Sequence, residues 1–143
     1  MHSKEYPWHI SYPGDVPHSV DIPDIPLYHF LDRAAESNPS NFATIFMGHR
    51  MTFGQLKEKT DRLATALHGL GVKKGDRVAI MLPNCPQAVL SYYAVLRLGA
   101  VAVMTNPLYT ERELSHQLKD SGAETIIILD LFCEKALNVL PET

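Results

Sequence analysis

A parallel α/β sheet with helices on both faces is the fold class this sequence predicts, and three observations carry it. Val78–Leu82, Val101–Met104 and Thr125–Leu129 are short, almost wholly apolar runs. Without polar alternation, each strand is expected to be covered on both faces. Between them lie two stretches of helical length, Gln87–Leu98 and Glu111–Ser121, stopped by Gly99 and Gly122. Strand, helix, strand in about thirty residues is a parallel crossover unit, and such units are right-handed almost without exception. The Val78 strand is therefore expected at the centre, flanked by the Val101 and Thr125 strands, with the two helices on opposite faces.

Taken in order, residues 1–26 hold half of the ten prolines (Pro7, Pro13, Pro17, Pro23, Pro26), interleaved with Tyr6, Trp8, Tyr12, Val16, Val20 and Ile22. Proline at that density opposes helix and strand ladders, which predicts an extended arm. A flexible linker would be Gly/Ser-rich and lack tryptophan, so the aromatics predict an arm laid on a body. Residues 27–143 form that body. Pro26 suits a first helical turn, and Leu27, Phe30, Leu31 and Ala34 keep helical spacing to Ser37 before Asn38-Pro39 ends it. Ala43–Phe46 and Arg50–Thr52 flank Gly48 as a hairpin. Thr52-Phe-Gly-Gln55 is a capping box opening a helix striped by Phe53, Leu56, Leu63, Ala64, Leu67 and Leu70, and closed by Gly69 and Gly71. Lys73-Lys-Gly-Asp76 is a polar turn into the Val78 strand.

After Leu82, Pro83 ends the strand, and Asn84 with Gln87 predicts a second capping box. The Gln87–Leu98 helix, apolar nearly all round, is expected to be buried. Thr110-Glu-Arg-Glu113 is a further capping box, for a helix whose apolar stripe is only Leu114 and Leu118. Leu131–Leu140 start a last helix that stops at Pro141.

Composition narrows the function classes. The chain has 143 residues, 45% of them hydrophobic and 20% charged, which suits a globular domain. A net charge of −3 supplies no field for nucleic acid and no polybasic stretch for anionic lipid. No run approaches transmembrane length, and no signal-peptide core is visible. Cys85 and Cys133 match no disulfide or zinc spacing, and a reducing cytoplasm is the expected setting.

Catalytic constellations are missing. No Gly-x-Gly-x-x-Gly or Gly-Lys-Ser/Thr loop follows any strand, and Pro83-Asn-Cys-Pro86 makes a poor phosphate cradle. The seven histidines are scattered without metal-ligand spacing. Cys85 has no His or Lys beside it and is expected to be a small buried residue at a strand-to-helix corner. No catalytic, cofactor-binding or metal-ligating residue is therefore assigned. The loop Asn106-Pro-Leu-Tyr109 leaves the carboxyl end of a buried parallel strand, where ligands sit in open sheets. The same residues also suffice for a plain turn before Thr110. On this evidence alone, a free-standing flavodoxin-like binding or regulatory module is an alternative reading, although a phosphate loop and an acidic cluster at the strand ends are lacking.

Three segments taken together carry a family resemblance: Met51-Thr-Phe-Gly-Gln-Leu56, Gly71-Val-Lys-Lys-Gly-Asp-Arg-Val-Ala-Ile-Met-Leu-Pro-Asn84 and Leu98-Gly-Ala-Val-Ala-Val-Met-Thr-Asn-Pro107. In this order and spacing they resemble the opening of the adenylate-forming (AMP-forming) acyl-CoA synthetases. Asn106-Pro-Leu-Tyr-Thr-Glu-Arg-Glu-Leu-Ser-His-Gln-Leu-Lys-Asp-Ser-Gly122 and the Pro/aromatic arm are most similar to the long-chain fatty-acid–CoA ligases. The resemblance implies an incomplete N-terminal subdomain of an ATP-, Mg2+- and CoA-dependent ligase, inactive by itself. The family's phosphate loop, aromatic-Thr-Glu motif, ribose-binding Asp and catalytic Lys fall beyond Thr143. It also implies small-molecule substrates (fatty acid, ATP, CoA), with peripheral membrane association an option for the full-length family. Asn106, Pro107 and Tyr109 are the candidate wall of the way in for CoA or the acyl chain. Bare sheet edges and apolar helix surface predict self-association of the isolated chain.

Overall fold

The computed structural model describes residues 6–140; the first five residues of the arm and the Pro141 helix stop lie outside them. The hairpin is the first regular β structure. Its strands, β1 (Phe42–Phe46) and β2 (His49–Thr52), run antiparallel, and a bulge lies between Phe42 and Thr44. Its two turn residues, Met47 and Gly48, both have positive φ (48° and 81°). That is the twist a two-residue hairpin turn requires.

The main sheet is parallel, in the order β4 (Val101–Met104), β3 (Arg77–Met81), β5 (Thr125–Ile128). The expected centre and neighbours hold. Alternate residues of β3 serve two cores. Val78 and Ile80 pack with Ala64 and Leu67 of α2 (Phe53–Gly69) and with Ala94 and Val95 of α3 (Pro86–Arg97). Ala79 and Met81 pack with Leu114 and Leu118 of α4 (Glu111–Ser121) and with Ala136 and Val139 of α5 (Cys133–Val139). These four β3 residues are fully buried, and Arg77 at the start of the strand is exposed. The helices α3 and α4 thus lie on opposite faces, as right-handed crossovers require.

Helix ends follow the sequence closely. Thr52 and Thr110 each accept the backbone N–H three residues on, while Gln55 and Glu113 return the bond to the cap N–H. At the far ends of α2 and α3, Gly71 (φ 102°) and Gly99 (φ 70°) turn the chain. The next residues, Val72 and Ala100, donate back to Leu67 and Val95. All four residues belong to one core, so polar closure and apolar packing coincide.

Three expectations need correction. Asn84 is not the cap of α3: the N-cap is Cys85, with no side-chain hydrogen bond, because Pro86 takes the first helical position. The α3 helix is not buried all round. Only Ser91, Ala94 and Val95 are fully buried, since one narrow sheet and α2 cover a single stripe. The arm is not uniformly extended, because Pro7–Ser11 form a 3-10 turn. Its aromatics pack largely on one another. Tyr6 stacks on Trp8 at 4.5 Å and His9 on His18 at 4.2 Å, leaving Trp8 55% exposed and Ile22 83% exposed. Proline at the first position favours such a turn, and the aromatic neighbours close it.

The first helix, α1 (Tyr28–Ser37), is fastened to α2 and α3 by charge. Asp32 accepts from the Arg97 guanidinium and lies 3.9 Å from Lys57 Nζ and 3.7 Å from His29 Nδ1. Asp61 accepts from Lys57 at 2.8 Å. Its Oδ1 lies 2.9 Å from Arg97 Nε, an ion-pair distance but off hydrogen-bond alignment. The guanidinium also sits 5.2 Å over the Tyr28 ring.

Candidate functional site

The carboxyl ends of the three parallel strands are where an open α/β sheet offers its loops to ligands. The loop after β4 is built from short polar contacts. Thr105 is buried, its N–H donating to Ile80 and its hydroxyl to the Val103 carbonyl. Asn106 folds its side chain back, Oδ1 accepting the Leu108 N–H at 3.0 Å, while its carbonyl accepts the Tyr109 N–H at 3.1 Å. This is an Asx turn, the local chemistry that Asn before Pro favours.

The turn brings Asn106, Pro107 and Tyr109 together but does not present them alike. Asn106 is exposed, whereas Pro107 and Tyr109 are half-buried. Of the three, Tyr109 lines a hollow of about 690 Å³ shared with Thr110, Arg112, Glu113, His116 and Gln117. A second hollow of about 690 Å³ opens at the ends of β3 and β5. Its walls include Phe46, Leu82, Cys85, Leu90, Ile127 and Leu129. Sequence reasoning passed over this second hollow, because its walls come from the hairpin, two strand ends and α3. The available signal was the apolar character of Leu82 and Leu129 just past their strands. Cys85 is one wall of it, at the strand-to-helix corner but half-buried rather than buried as expected, because the hollow opens beside it.

The Thr110 backbone N–H, followed by the Thr110 hydroxyl, holds the Glu113 carboxyl below the usual carboxylate range, and Lys135 adds to this. The oxygen involved accepts from both Thr110 groups at 2.8 Å. A depressed carboxylate contributes stability above its unfolded value, about pH 4.3, and loses it as pH falls through the folded value. Replacing Glu113 by Gln is therefore expected to lower the thermal midpoint near pH 7. The difference from wild type should close as the solution is acidified below the folded value. A gap that stays constant down to pH 3 would contradict this.

Among the described residues, no three His, Cys, Asp or Glu groups converge as metal ligands. No helix of those residues is long and apolar enough to cross a membrane. The arrangement offers apolar walls, a polar turn and capped helix ends.

Comparison with known proteins gives these features a family. The chain matches the AMP-binding enzyme family over residues 31–142. It is 46% identical over 133 residues to a long-chain-fatty-acid–CoA ligase of Bacillus subtilis (strain 168), covering 93% of this chain and 24% of that protein. The corresponding ligase of Salmonella typhimurium is 43% identical over 139 residues, covering 95% and 25%. Among solved structures, a long-chain-fatty-acid–CoA ligase from Archaeoglobus fulgidus superposes with a TM-score of 0.81 at 32% identity, covering 87% of this chain and 27% of that one. The chain thus spans about a quarter of the length of the curated relatives it matches. With most of its residues inside the match and its parallel sheet shared with solved members, the chain belongs to the AMP-binding enzyme family.

Proposed function

We propose that this chain supplies the N-terminal portion of a long-chain fatty-acid–CoA ligase. In that reaction ATP and a fatty acid give an acyl-adenylate and pyrophosphate, with magnesium balancing phosphate charge. The CoA thiol then attacks the adenylate, releasing acyl-CoA and AMP. The observation that carries this reading is the 46% identity to a long-chain ligase across nearly the whole chain. The contribution of these residues is a scaffold: a central strand buried over Val78–Met81, two packed faces, and the Asn106–Tyr109 turn as part of the wall along which CoA or the acyl chain enters. The phosphate-handling groups belong to the rest of such an enzyme, since phosphoryl chemistry depends on positioned donors and charge.

The test has two arms. The chain alone, given ATP, magnesium and palmitate, is expected to release no AMP and to exchange no pyrophosphate into ATP. A chimera in which it replaces the matching quarter of the Bacillus subtilis ligase is expected to form palmitoyl-CoA. A folded chimera that stays silent would overturn the reading. On the same reading the isolated chain self-associates, because β4 and β5 each pair only with β3 among the described residues and Val101 and Met104 stand about half exposed. A monomeric light-scattering mass at micromolar concentration would refute that part.

A further inference from the structure

The Asn106–Tyr109 turn is held by Tyr109, which packs against the core shared by α4 and α5, and by one hydrogen-bonding side chain from another element. Lys135 lies on α5, and its Nζ donates to two carbonyl oxygens of the turn, that of Pro107 at 3.4 Å and that of Tyr109. The ammonium sits 5.3 Å over the Phe132 ring, and the Glu113 carboxylate attracts it. One helical turn further on, Asn138 donates to Glu111 Oε1 at 2.7 Å. Positions three apart share a helix face. One face of α5 therefore grips the turn and the start of α4, while Ala136 and Val139 of the same helix enter the core.

We infer that Lys135 is a positioning residue: it latches the Asn106–Tyr109 turn onto α5 and so fixes where the wall after β4 stands. The internal bonds of the turn set its shape and run from Asn106 to Leu108 and Tyr109; its placement falls to Thr105, bonded to Ile80 just before it, to the packing of Tyr109 on the core, and to ties from other elements. Lys135 adds to these a polar tie from α5 to the turn's own carbonyls, spanning 26 and 28 residues of sequence. A lysine suits the task because an ammonium offers three donors and no acceptor, and so meets two carbonyls and an aromatic face together. Charge is part of the grip, since charge-assisted bonds are shorter and stronger than neutral ones. Methionine keeps the apolar stem and removes every donor, whereas arginine keeps charge and donors.

Only the statement of what the turn faces rests on the ligase reading; the latch itself does not. Hydrogen exchange of the 143-residue chain is therefore the first measurement. In Lys135→Met, the Leu108 and Tyr109 amides are expected to exchange about fivefold faster or more, through local opening that leaves β3 unaffected. Lys135→Arg is expected to restore most of their protection. Unchanged exchange at Leu108 and Tyr109, or an equal rise across Val78–Met81, would overturn the latch. The second measurement places the same variants in the Bacillus subtilis chimera. There Lys135→Met is expected to raise KM for CoA or for palmitate several-fold with kcat nearly unchanged, and Lys135→Arg to reverse it. Faster exchange with both KM values unmoved would overturn the turn's place along the substrate path. A chimera silent in its wild-type form would count against the ligase reading alone, and exchange would still decide the latch.

Discussion

Replacing Ile80 by Ala is expected to cost about 2–5 kcal/mol, a large part of the stability of any domain of this size. Ile80 has no exposed surface and sits mid-strand, paired with Met104 on one side and Ile127 on the other. Its side chain meets α2 and α3, so the space left by three lost carbons is bounded by backbone already fixed on two sides. Little collapse is available, and the cavity cost adds to the transfer cost. Ile80→Val removes one carbon and is expected to cost about 1 kcal/mol. Urea unfolding measures both. The midpoint should drop in that order with an unchanged m-value, and a loss under about 1 kcal/mol for the alanine variant would show that β3 is not the rigid centre described.

Arg97→Leu is expected to cost about 2–3 kcal/mol, chiefly through what it leaves behind. Asp32 is 15% exposed and holds the Arg97 guanidinium, with Lys57 a more distant 3.9 Å away. Without Arg97, two carboxylates face each other across α1 and α2 with a single lysine between them. Removing one partner of a poorly hydrated pair costs more than the pair contributes, because the remaining charge loses its compensation. The double variant Asp32→Asn/Arg97→Leu should recover part of the loss. A single-variant loss under about 0.5 kcal/mol would place the cluster with ordinary surface ion pairs instead.

Much of this fold is legible in the sequence, and the reasons are local. Val101–Met104 agrees residue for residue with β4, and Thr52 and Thr110 cap their helices as their spacing requires. Those features depend on neighbours within four positions, which a sequence displays directly. The Asn84 expectation fails on a competition of the same range, where Pro86 outweighs a capping side chain. The arm fails differently. Proline content argues for extension, but stacking of Tyr6 on Trp8 and of His9 on His18 stabilises a compact turn, and no periodicity rule reports it.

The candidate site was partly legible. The Asn106–Tyr109 turn could be placed at a strand end because Asn-Pro follows an apolar run. The contact from Lys135 joins residues 26 or more positions apart, and nothing in the spacing of either segment marks it. The apolar hollow beside Cys85 was hidden for the same reason, since Phe46, Leu90 and Ile127 meet only once the hairpin, α3 and β5 are assembled.

The double burial of β3 has a consequence for insertion and deletion. In a sheet with one wet face, a slip of one residue puts apolar side chains in water, and polarity alone forbids it. Here Val78, Ala79, Ile80 and Met81 are apolar toward both cores, so a one-residue slip among them would expose nothing, and polarity acts only at Arg77, the exposed first residue of the strand. Register must be held by shape and by the strand's ends. Shape contributes through the alternation of Val78 and Ile80 against the small Ala79, and a slip would exchange these volumes between two close-packed cores. The ends contribute through the turn before the strand, where Asp76 Oδ2 accepts the Lys73 N–H at 2.7 Å, and through Pro83 just past its other end. Added or lost residues are therefore tolerable in the loops beyond these stops, but between Lys73 and Pro83 a single one would misalign both cores at once.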